Sequence, residues 1–540
     1  MASRSRFGTC VSFAAALAVH SLGSAQTQPV DKQQGRADEA AAGAQGAEQQ
    51  WQIPLDRDAD QRGAPVKEMT LDEALLRGRR WNVGIKEAQV LPEQARLDVV
   101  FAEAGFQPEF YGAAGFAESE RPEFNAFQPS ITSQTMDAQL GWRQRVITGG
   151  LFDLAFQPAR FDSDRGDGNF FPSRQFSAVW QASFRQPLLR GAWTDYSLGD
   201  IASARFRMTQ ADSEFDRTVQ DTLLQIVQAY WELVFARENW RVVRSALDVA
   251  AEQLRITLER IRVEQLAPRD RVADEAEVAR RREELITAEN AIRDREDDLR
   301  RLLYDGSEAS IWKYNLRPIS PISAAPRANL PSFESLVEVA VQNRPDLRAL
   351  RNSVAAAEVV AMQAESDVLP QLDLISSYSS DGVSSNDIQN GTRGTLNRAF
   401  RDATEQQFPD WSLRLEFAIP IGNHAARSRA RRANLEVERR RRRLHGATLD
   451  AQKDVRESLR RLRTLGQSIR ATEESVRLAE TNLETEQVKL RVGASTAFEV
   501  QRRNQELRAA RGRLLRNQLD YRTAESRLLY VQGLLQAEPR

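Results

Sequence analysis

Histidines, cysteines and paired carboxylates are the groups through which this chain could do catalytic or metal chemistry. Its histidines are His20, His424 and His445, which are too far apart in the sequence to predict a metal cluster or a base for a nucleophile. No Walker-type phosphate loop occurs either. We therefore expect no enzymatic activity, no metal and no cofactor.

Charged residues are abundant, but their pattern favours solvated helix surfaces. The acidic pairs Glu283-Glu284 and Asp297-Asp298 alternate with arginines, as on a salt-bridged helix face. The five arginines from Arg439 to Arg443 could bind nucleic acid, but they follow Glu436 and Glu438, and the formal net charge is only -1. We interpret them as a surface stripe that pairs with acids of a neighbouring helix, and we expect no nucleic-acid partner.

The N-terminus predicts export from the cytoplasm. Arg4 and Arg6 precede an apolar stretch, Val11 to Leu22, that is too short to span a bilayer. Gly23-Ser24-Ala25 supplies the small residues that signal peptidase requires. Residues 1–25 are therefore predicted to be a signal peptide that is cleaved near Ala25.

The mature chain is predicted to carry neither a disulfide nor a lipid anchor. The only cysteine, Cys10, lies inside the signal peptide, and the residues before it lack the apolar lead of an acylation site. Residues 26–66 are rich in Gln, Ala and Gly, and this composition predicts a disordered leader. No later run of about 18 apolar residues predicts a membrane-spanning helix.

An internal two-fold repeat organises the rest of the chain. At one fixed offset, Thr70-Leu71-Asp72-Glu73-Ala74 falls on Ser332-Phe333-Glu334-Ser335-Leu336, and Pro108 falls on Pro370. Each copy begins with an amphipathic helix pair that ends at its proline. The predicted units are a first repeat at 67–303, a linker at 304–330 and a second repeat at 331–535.

Each repeat also contains a ladder of apolar residues spaced seven apart. The ladder from Ile226 to Ile261 superposes on the ladder from Val455 to Leu490. Such heptads predict long helices that supercoil, here over roughly 100 Å. The predicted long-helix pairs are residues about 192–303 and about 424–535. Because each return helix is shorter than its partner, we expect the short helix that precedes the strands to stack on its end.

Alternating residues between the helices predict amphipathic strands, at about 109–187 and about 371–420. Trp411, Leu413, Leu415 and Phe417 alternate with polar residues, and Phe176, Trp180 and Phe184 follow the same pattern. The prolines that bound these strands are Pro108, Pro187, Pro370 and Pro420. A further hairpin at about 138–157 has no counterpart in the second half, so the sequence leaves open whether it joins the same sheet.

The order helix, strands, long helix, turn and return helix, repeated once, resembles the TolC-like outer membrane efflux proteins. The motifs that carry the resemblance are Thr70-Leu71-Asp72-Glu73-Ala74, Asn343-Arg344-Pro345-Asp346-Leu347, Gln186-Pro187-Leu188-Leu189-Arg190-Gly191, Ile419-Pro420-Ile421 and Arg491-Val492-Gly493. The implied fold is mostly α with β. Long antiparallel helices form a periplasmic coiled-coil α-barrel, and transmembrane strands contribute to a shared trimeric β-barrel.

The resemblance implies a passive exit duct in the cell outer membrane, part of a tripartite efflux or type I secretion system. It implies a homotrimer with four strands per chain in a twelve-stranded barrel. A periplasmic adaptor (membrane fusion) protein and an inner membrane pump of the RND or ABC type are the implied partners. The exported substrate and the identity of the pump are not specified by the sequence.

The resemblance also implies a gate at the helical turns. By position, Asp270 and Glu499 match two acidic gate sites, and Gly493 matches the turn glycine. The chain departs from the family pattern at Glu264, where glycine is usual, and at Ser495, where a linking arginine is usual. Arg502 likewise stands where another acid is expected. An equally simple interpretation is that Asp270 and Glu499 are helix N-terminal acids favoured by the helix dipole.

The competing function is that of a periplasmic coiled-coil adaptor or scaffold without a pore. It would share the export signal and the heptads, but it would not require proline-bounded amphipathic strands between the helices. The two interpretations differ in how the protein leaves membranes, because a barrel requires detergent whereas an adaptor is released by salt or alkali.

Overall fold

The structure is a computed structural model that describes residues 65–122, 130–164, 173–306, 312, 314–322, 330–386 and 393–536. The predicted signal peptide, its cleavage near Ala25 and Cys10 lie outside these residues, as does nearly all of the predicted leader.

The described chain contains long antiparallel helices and one large sheet, so the predicted fold class is confirmed. The helices are α1 (Leu71–Trp81), α2 (Val83–Ala104), α3 (Trp193–Ser197), α4 (Gly199–Arg262), α5 (Arg271–Leu303), α6 (Phe333–Asn343), α7 (Pro345–Ser366), α8 (Leu396–Thr404), α9 (His424–Arg491) and α10 (Ala497–Val531). The strands are β1 (Val66–Met69), β2 (Glu109–Pro122), β3 (Ser130–Arg145), β4 (Leu151–Ser163), β5 (Arg174–Pro187), β6 (Asn315–Pro318), β7 (Gln371–Ser385) and β8 (Pro409–Ala418).

Six strands form one antiparallel sheet in the order β2-β3-β4-β5-β7-β8. The unmatched hairpin is β3 and β4, and it lies inside this sheet between β2 and β5. The implied count of four strands per chain is therefore wrong for this protein. The family pattern implies two strands in each repeat. It therefore does not include β3 and β4, which have no counterpart in the second half.

The turn of the additional hairpin is held against the end of β5. Gly149 has φ +88, and a Cβ there would lie 2.7 Å from the carbonyl oxygen of Gly191. The Thr148 hydroxyl donates to Gln186 Oε1 at 2.8 Å, and the Trp193 amide donates to the Thr148 carbonyl at 3.2 Å. The left-handed backbone and the close approach both require glycine at this position.

The heptad ladders form the cores between the long helices. Ile226 and Leu233 of α4 are fully buried and pack with Leu299 and Leu303 of α5. The second core is built in the same way around α9 and α10, from Val455, Leu462, Ile469, Tyr521 and Leu528. Leu490, at the far end of its ladder, is 38% exposed, so burial of the α9 ladder weakens toward the tip.

The short helices stack on the ends of the return helices, as predicted. Asn82, the N-cap of α2, donates to the carbonyl of Leu302 near the end of α5 at 2.9 Å, and Lys86 pairs with Asp305 at 2.6 Å. In the second half, Gly533 after α10 approaches Asn343 so closely that a Cβ would lie 2.7 Å from its carbonyl oxygen. The internal repeat as such stays a prediction from the sequence.

Part of the predicted linker is ordered structure. Strand β6 lies in that segment and pairs in parallel with β1, which begins at the last residue of the predicted leader. Arg237 of α4 donates to Glu296 at 2.7 Å and to the carbonyl of Leu316 in β6 at 2.6 Å. The small sheet is thereby fixed to the first helix pair.

An ion-pair network around the buried Arg344 joins four helices. Arg344, the N-cap of α7, contacts Asp346 at 2.9 Å and Asp454 of α9 at 3.0 Å. Arg217 of α4 also contacts Asp346, at 2.8 Å. Tyr530 of α10 completes the network by donating to Asp221 of α4.

The network shifts the pKa values of its members. Burial raises the pKa of Asp346, but the hydrogen bonds and charge of Arg344 and the charge of Arg217 outweigh it, so the net pKa lies below the ordinary value. Burial, followed by the hydrogen bond to Asp221 and its charge, raises the pKa of Tyr530 to about 12.

We predict that Asp346→Asn destabilises the protein at neutral pH by about 1–3 kcal/mol, because Arg344 and Arg217 lose a partly buried partner. Since the folded pKa is lowered, this contribution is present above about pH 4 and is lost as the pH falls through the folded value. Thermal unfolding in detergent across pH measures it. Asp216→Asn removes an acid that is half exposed and serves as the control. Equal losses for both variants at pH 7 would contradict the assignment.

We also predict that cysteines at Ala159 and Ser177 form a disulfide, because these residues are Cα partners between β4 and β5. The pair Ser183 and Ser377, partners between β5 and β7, is the positive control. Mobility on a non-reducing gel measures bond formation. If only the control pair oxidises, the hairpin lies outside the sheet.

Candidate functional site

One face of the six-stranded sheet is apolar from edge to edge. A single row of register partners crosses every strand on this face: Phe110, Trp142, Leu154, Ala182, Tyr378 and Trp411. Phe110 is 82% and Trp411 74% exposed. The members between them are partly exposed. A continuous band of apolar and aromatic side chains across a sheet is typical of a surface that contacts lipid.

The opposite face is polar along its whole width. The adjacent row of partners is Glu109, Arg143, Asp153, Ser183, Ser377 and Ser412. The charged side chains on this face form ion pairs with one another. Arg143 lies 3.0 Å from Asp153. Arg185, two residues beyond Ser183 on β5, pairs with Asp373. This face is suited to water, so the sheet separates an apolar environment from an aqueous one.

The sheet is open at both edges in the single chain. Strands β2 and β8 form the edges, and nearly all of their residues are exposed. A membrane-inserted sheet cannot leave edge amides and carbonyls unpaired in hydrocarbon. The two edges therefore require pairing partners outside the described chain.

The four predicted prolines mark where helices meet strands. Pro108 and Pro370 directly precede β2 and β7, Pro187 is the last residue of β5, and Pro420 lies two residues after β8. All four therefore stand at the same end of the sheet, the end from which the long helices extend. The opposite end, which we call the distal end, is where β2, β4 and β7 finish and β3, β5 and β8 begin, and α8 follows β7 there. The tight β3–β4 turn lies at the helix end instead, against Gln186.

The first helical tip is a turn in which the Asp270 side chain caps a backbone amide of the same turn. Its carboxylate accepts the amide hydrogen of Ala267 at 3.2 Å in the short 3-10 turn Pro268–Asp270. Glu264 has φ +60, the left-handed conformation that glycine usually adopts. The structure therefore retains the geometry of the family's glycine with a glutamate in its place.

The second helical tip contains the predicted turn glycine. Gly493 has φ +73 with open space around it, and the amide of Ala494 donates to the backbone carbonyl of Lys489 at 2.8 Å. Glu499 lies in the first turn of α10, where its amide donates to Thr496 and its carboxylate stands 3.6 Å from Arg502. In the part of the chain that the structure describes, Asp270 and Glu499 share no hydrogen bond or ion pair.

Ser495, which stands where the family has a linking arginine, has a different contact. Its hydroxyl donates to Glu486 within the same helical hairpin. This hydrogen bond, followed by the charge of Lys489, lowers the pKa of Glu486 below its ordinary value. The second turn is thus closed by a bond within one chain.

A cavity between the two helix pairs, close to the tips, was not predicted from the sequence. It measures ≈ 470 Å³ and lies between α4, α5 and α10. Burial and the charge of nearby Arg281 both lower the pKa of Arg508, which lines the cavity. Sequence periodicity does not reveal this cavity, because it depends on how the two pairs are set against each other.

The arginine stripe is placed as expected. Arg439 and Arg440 pair with Glu436, Arg442 pairs with Glu438, and Arg441 reaches Glu358 on the neighbouring helix α7 at 2.5 Å. Among the residues that the structure describes, no group of histidine, cysteine and acidic side chains could hold a metal ion. The described helices include none with the length and hydropathy needed to cross a membrane.

Comparison with known proteins gives a consistent result. The family model "outer membrane efflux protein" matches residues 336–533. The chain is 26% identical to outer membrane protein TolC of Vibrio cholerae over 357 residues, covering 65% of this chain and 76% of that protein. It is 24% identical to the alkaline protease secretion protein AprF of Pseudomonas aeruginosa over 386 residues, covering 68% and 72%.

The fold is similar to that of solved outer membrane channels. The outer membrane protein VceC of Vibrio cholerae superposes with a TM-score of 0.59 at 16% identity, covering 87% of this chain and 97% of that one. The resemblance to the TolC-like outer membrane efflux proteins, expected from the motifs, is confirmed by sequence and by fold.

Proposed function

We propose that the protein is the outer membrane channel subunit of a tripartite efflux or type I secretion system. The observation that carries the proposal is the pair of adjacent rows across the sheet, one entirely apolar and one entirely polar. A sheet of this kind has one face for lipid and the other for a water-filled lumen. The long helices extend from one end of the sheet and continue the duct through the periplasm.

The alternative function, an adaptor without a pore, gives no role to the exposed aromatic row. A protein surrounded by water on both sides of its sheet would keep so large an apolar surface exposed at a high cost in solubility. The same row is the reason that we place the chain in the outer membrane. The cleaved signal peptide at 1–25 and the lack of lipidation are proposed from the sequence alone.

Three copies would close the sheet into a barrel by pairing β8 of one chain with β2 of the next. With six strands per copy, a trimer gives eighteen strands, whereas four strands per copy would give twelve. Because barrel diameter grows roughly linearly with strand number, this barrel would be about half as wide again. The narrowest point would then lie in the helical part, at the tips.

The partners follow from the passive character of the duct. The resemblance to the efflux proteins implies an inner membrane pump of the RND or ABC type as the source of energy, in agreement with a sequence that has no Walker-type phosphate loop. An adaptor protein would join that pump to the helical tips. We propose the domain boundaries as predicted from the sequence, with β6 inside the linker segment.

We propose that Asp270 and Glu499 narrow the tip in the resting state, with Gly493 allowing the second turn. Both carboxylates lie at the start of return helices, where the helix dipole favours negative charge. Here Ser495 closes its turn within one chain, so a linking arginine is replaced by contacts inside each hairpin.

We predict that the purified protein forms pores in planar bilayers and that the two sheet faces respond differently to labelling. A charged thiol reagent should change the conductance of Ser379→Cys, on the polar face, and leave Ser376→Cys, on the apolar face of the same strand, unaffected. Current recordings measure this. If the protein is soluble without detergent and conducts no current, the channel proposal is wrong.

We predict that Asp270→Asn combined with Glu499→Gln raises single-channel conductance and weakens cation preference, because two negative charges leave the tip. The control, Glu93→Gln with Glu457→Gln, removes two charges that are 59% and 53% exposed elsewhere on the helices. Unchanged conductance and selectivity in the tip variant would remove the gate assignment while leaving the pore itself intact.

A further inference from the structure

The apolar face of the sheet changes character at its distal end. Along β4, Phe152, Leu154 and Phe156 are followed on the same face by Arg160 and Asp162. Arg174 of β5 is the register partner of Asp162 and contacts it at 2.6 Å. The lipid-facing surface therefore ends in charges at the height where headgroups begin, just beyond the aromatic band.

These charges line a cavity. It measures ≈ 650 Å³, and its lining includes Arg160, Arg174 and Arg393 with the carboxylates of Asp162 and Asp164. Three guanidinium groups thus meet two carboxylates, which leaves a positive excess. The Nε of Arg160 is buried and has no hydrogen-bond partner. A buried donor without a partner is costly, so the cavity is suited to an additional acceptor.

Helix α8 lies on the same apolar face, beside the cavity. It contacts β4, β5 and β7, three consecutive strands, so it runs across the sheet rather than along it. Gly382 permits this packing, because a Cβ there would lie 1.9 Å from the carbonyl oxygen of Ala399. Phe400 packs edge-on against Phe156 at 5.4 Å between ring centroids.

The exposed side of α8 is amphipathic. Leu396 and Phe400 are 43% and 40% exposed. Arg398 and Arg401 are exposed and have no ion pair with any residue that the structure describes. A helix that crosses a lipid-facing sheet, with apolar flanks and unpaired arginines, matches an interfacial helix that lies in the plane of the headgroups.

We infer that the distal cavity and α8 together bind the phosphate groups of a lipid headgroup in the outer leaflet. The guanidinium groups supply charge-assisted, bidentate donors for phosphate oxygens. The acyl chains would lie along the aromatic band below. The inference rests on the proposed function, since it requires the apolar face to stand in a membrane.

The test uses the full-length protein in detergent. Native mass spectrometry and thermal stability would measure binding of diphosphorylated lipid A, of the same lipid without phosphates, and of inorganic phosphate. The variant combines Arg393→Gln, at the cavity, with Arg398→Gln and Arg401→Gln on the helix, and is called the α8 variant. The control is Arg460→Gln with Arg461→Gln and Arg463→Gln, an equal loss of exposed charge on α9.

We expect the wild type and the control to bind the phosphorylated lipid at least about tenfold more tightly than the α8 variant does, because each lost charged hydrogen bond is worth about that much. Removing the lipid phosphates should cause a similar loss. Equal binding by the α8 variant and the control would overturn the inference. Full competition by inorganic phosphate would also overturn it, because the site would then take the free anion.

Bilayer conductance of the α8 variant separates this inference from the proposed function. Normal pores with lost lipid binding support both. Normal pores with unchanged lipid binding remove only the lipid site. Absence of pores in the wild type would remove the channel function itself.

Discussion

The constraint on which this structure depends is the two-residue alternation of apolar and polar side chains, kept in register across six strands. Phe110, Trp142 and Tyr378 belong to one row, and Arg143, Asp153 and Ser377 belong to the next. A slip of one residue in any strand would place charges among the aromatics. The register is therefore specified strongly, and the pairing of the β3–β4 hairpin with its neighbours follows from it.

The helices are subject to a different constraint, the burial of a seam with a seven-residue period. Neither α4 nor α9 is covered by its return helix alone, so a second helix must cover the remainder. The stacking of Asn82 on Leu302 and of Gly533 on Asn343 accomplishes this. The network around Arg344 then joins α4, α7, α9 and α10 where the helices change partners. Its cost of desolvation is offset because each charge has at least one opposite partner.

The candidate functional regions lie where the chain departs from these regular patterns. At the tips, Glu264 takes a conformation that is unfavourable for a side chain, and Ser495 forms a contact that no heptad predicts. At the distal end, the apolar face becomes charged and a short helix crosses it at Gly382. Both regions lie at the ends of regular elements, where packing no longer dictates the residue type and contacts with other molecules can.

The amino-acid sequence by itself determined the fold class, the long-helix pairs, the prolines at the strand ends and the resemblance to efflux proteins. Periods of seven and two are local properties that a single strand or helix carries, so they can be read without a structure. Only the tertiary structure decided that the β3–β4 hairpin lies within the sheet, that β6 lies in the linker, and that α8 rests on the apolar face. These features depend on contacts between segments that are far apart in the sequence. Neither periodicity nor composition specifies such contacts.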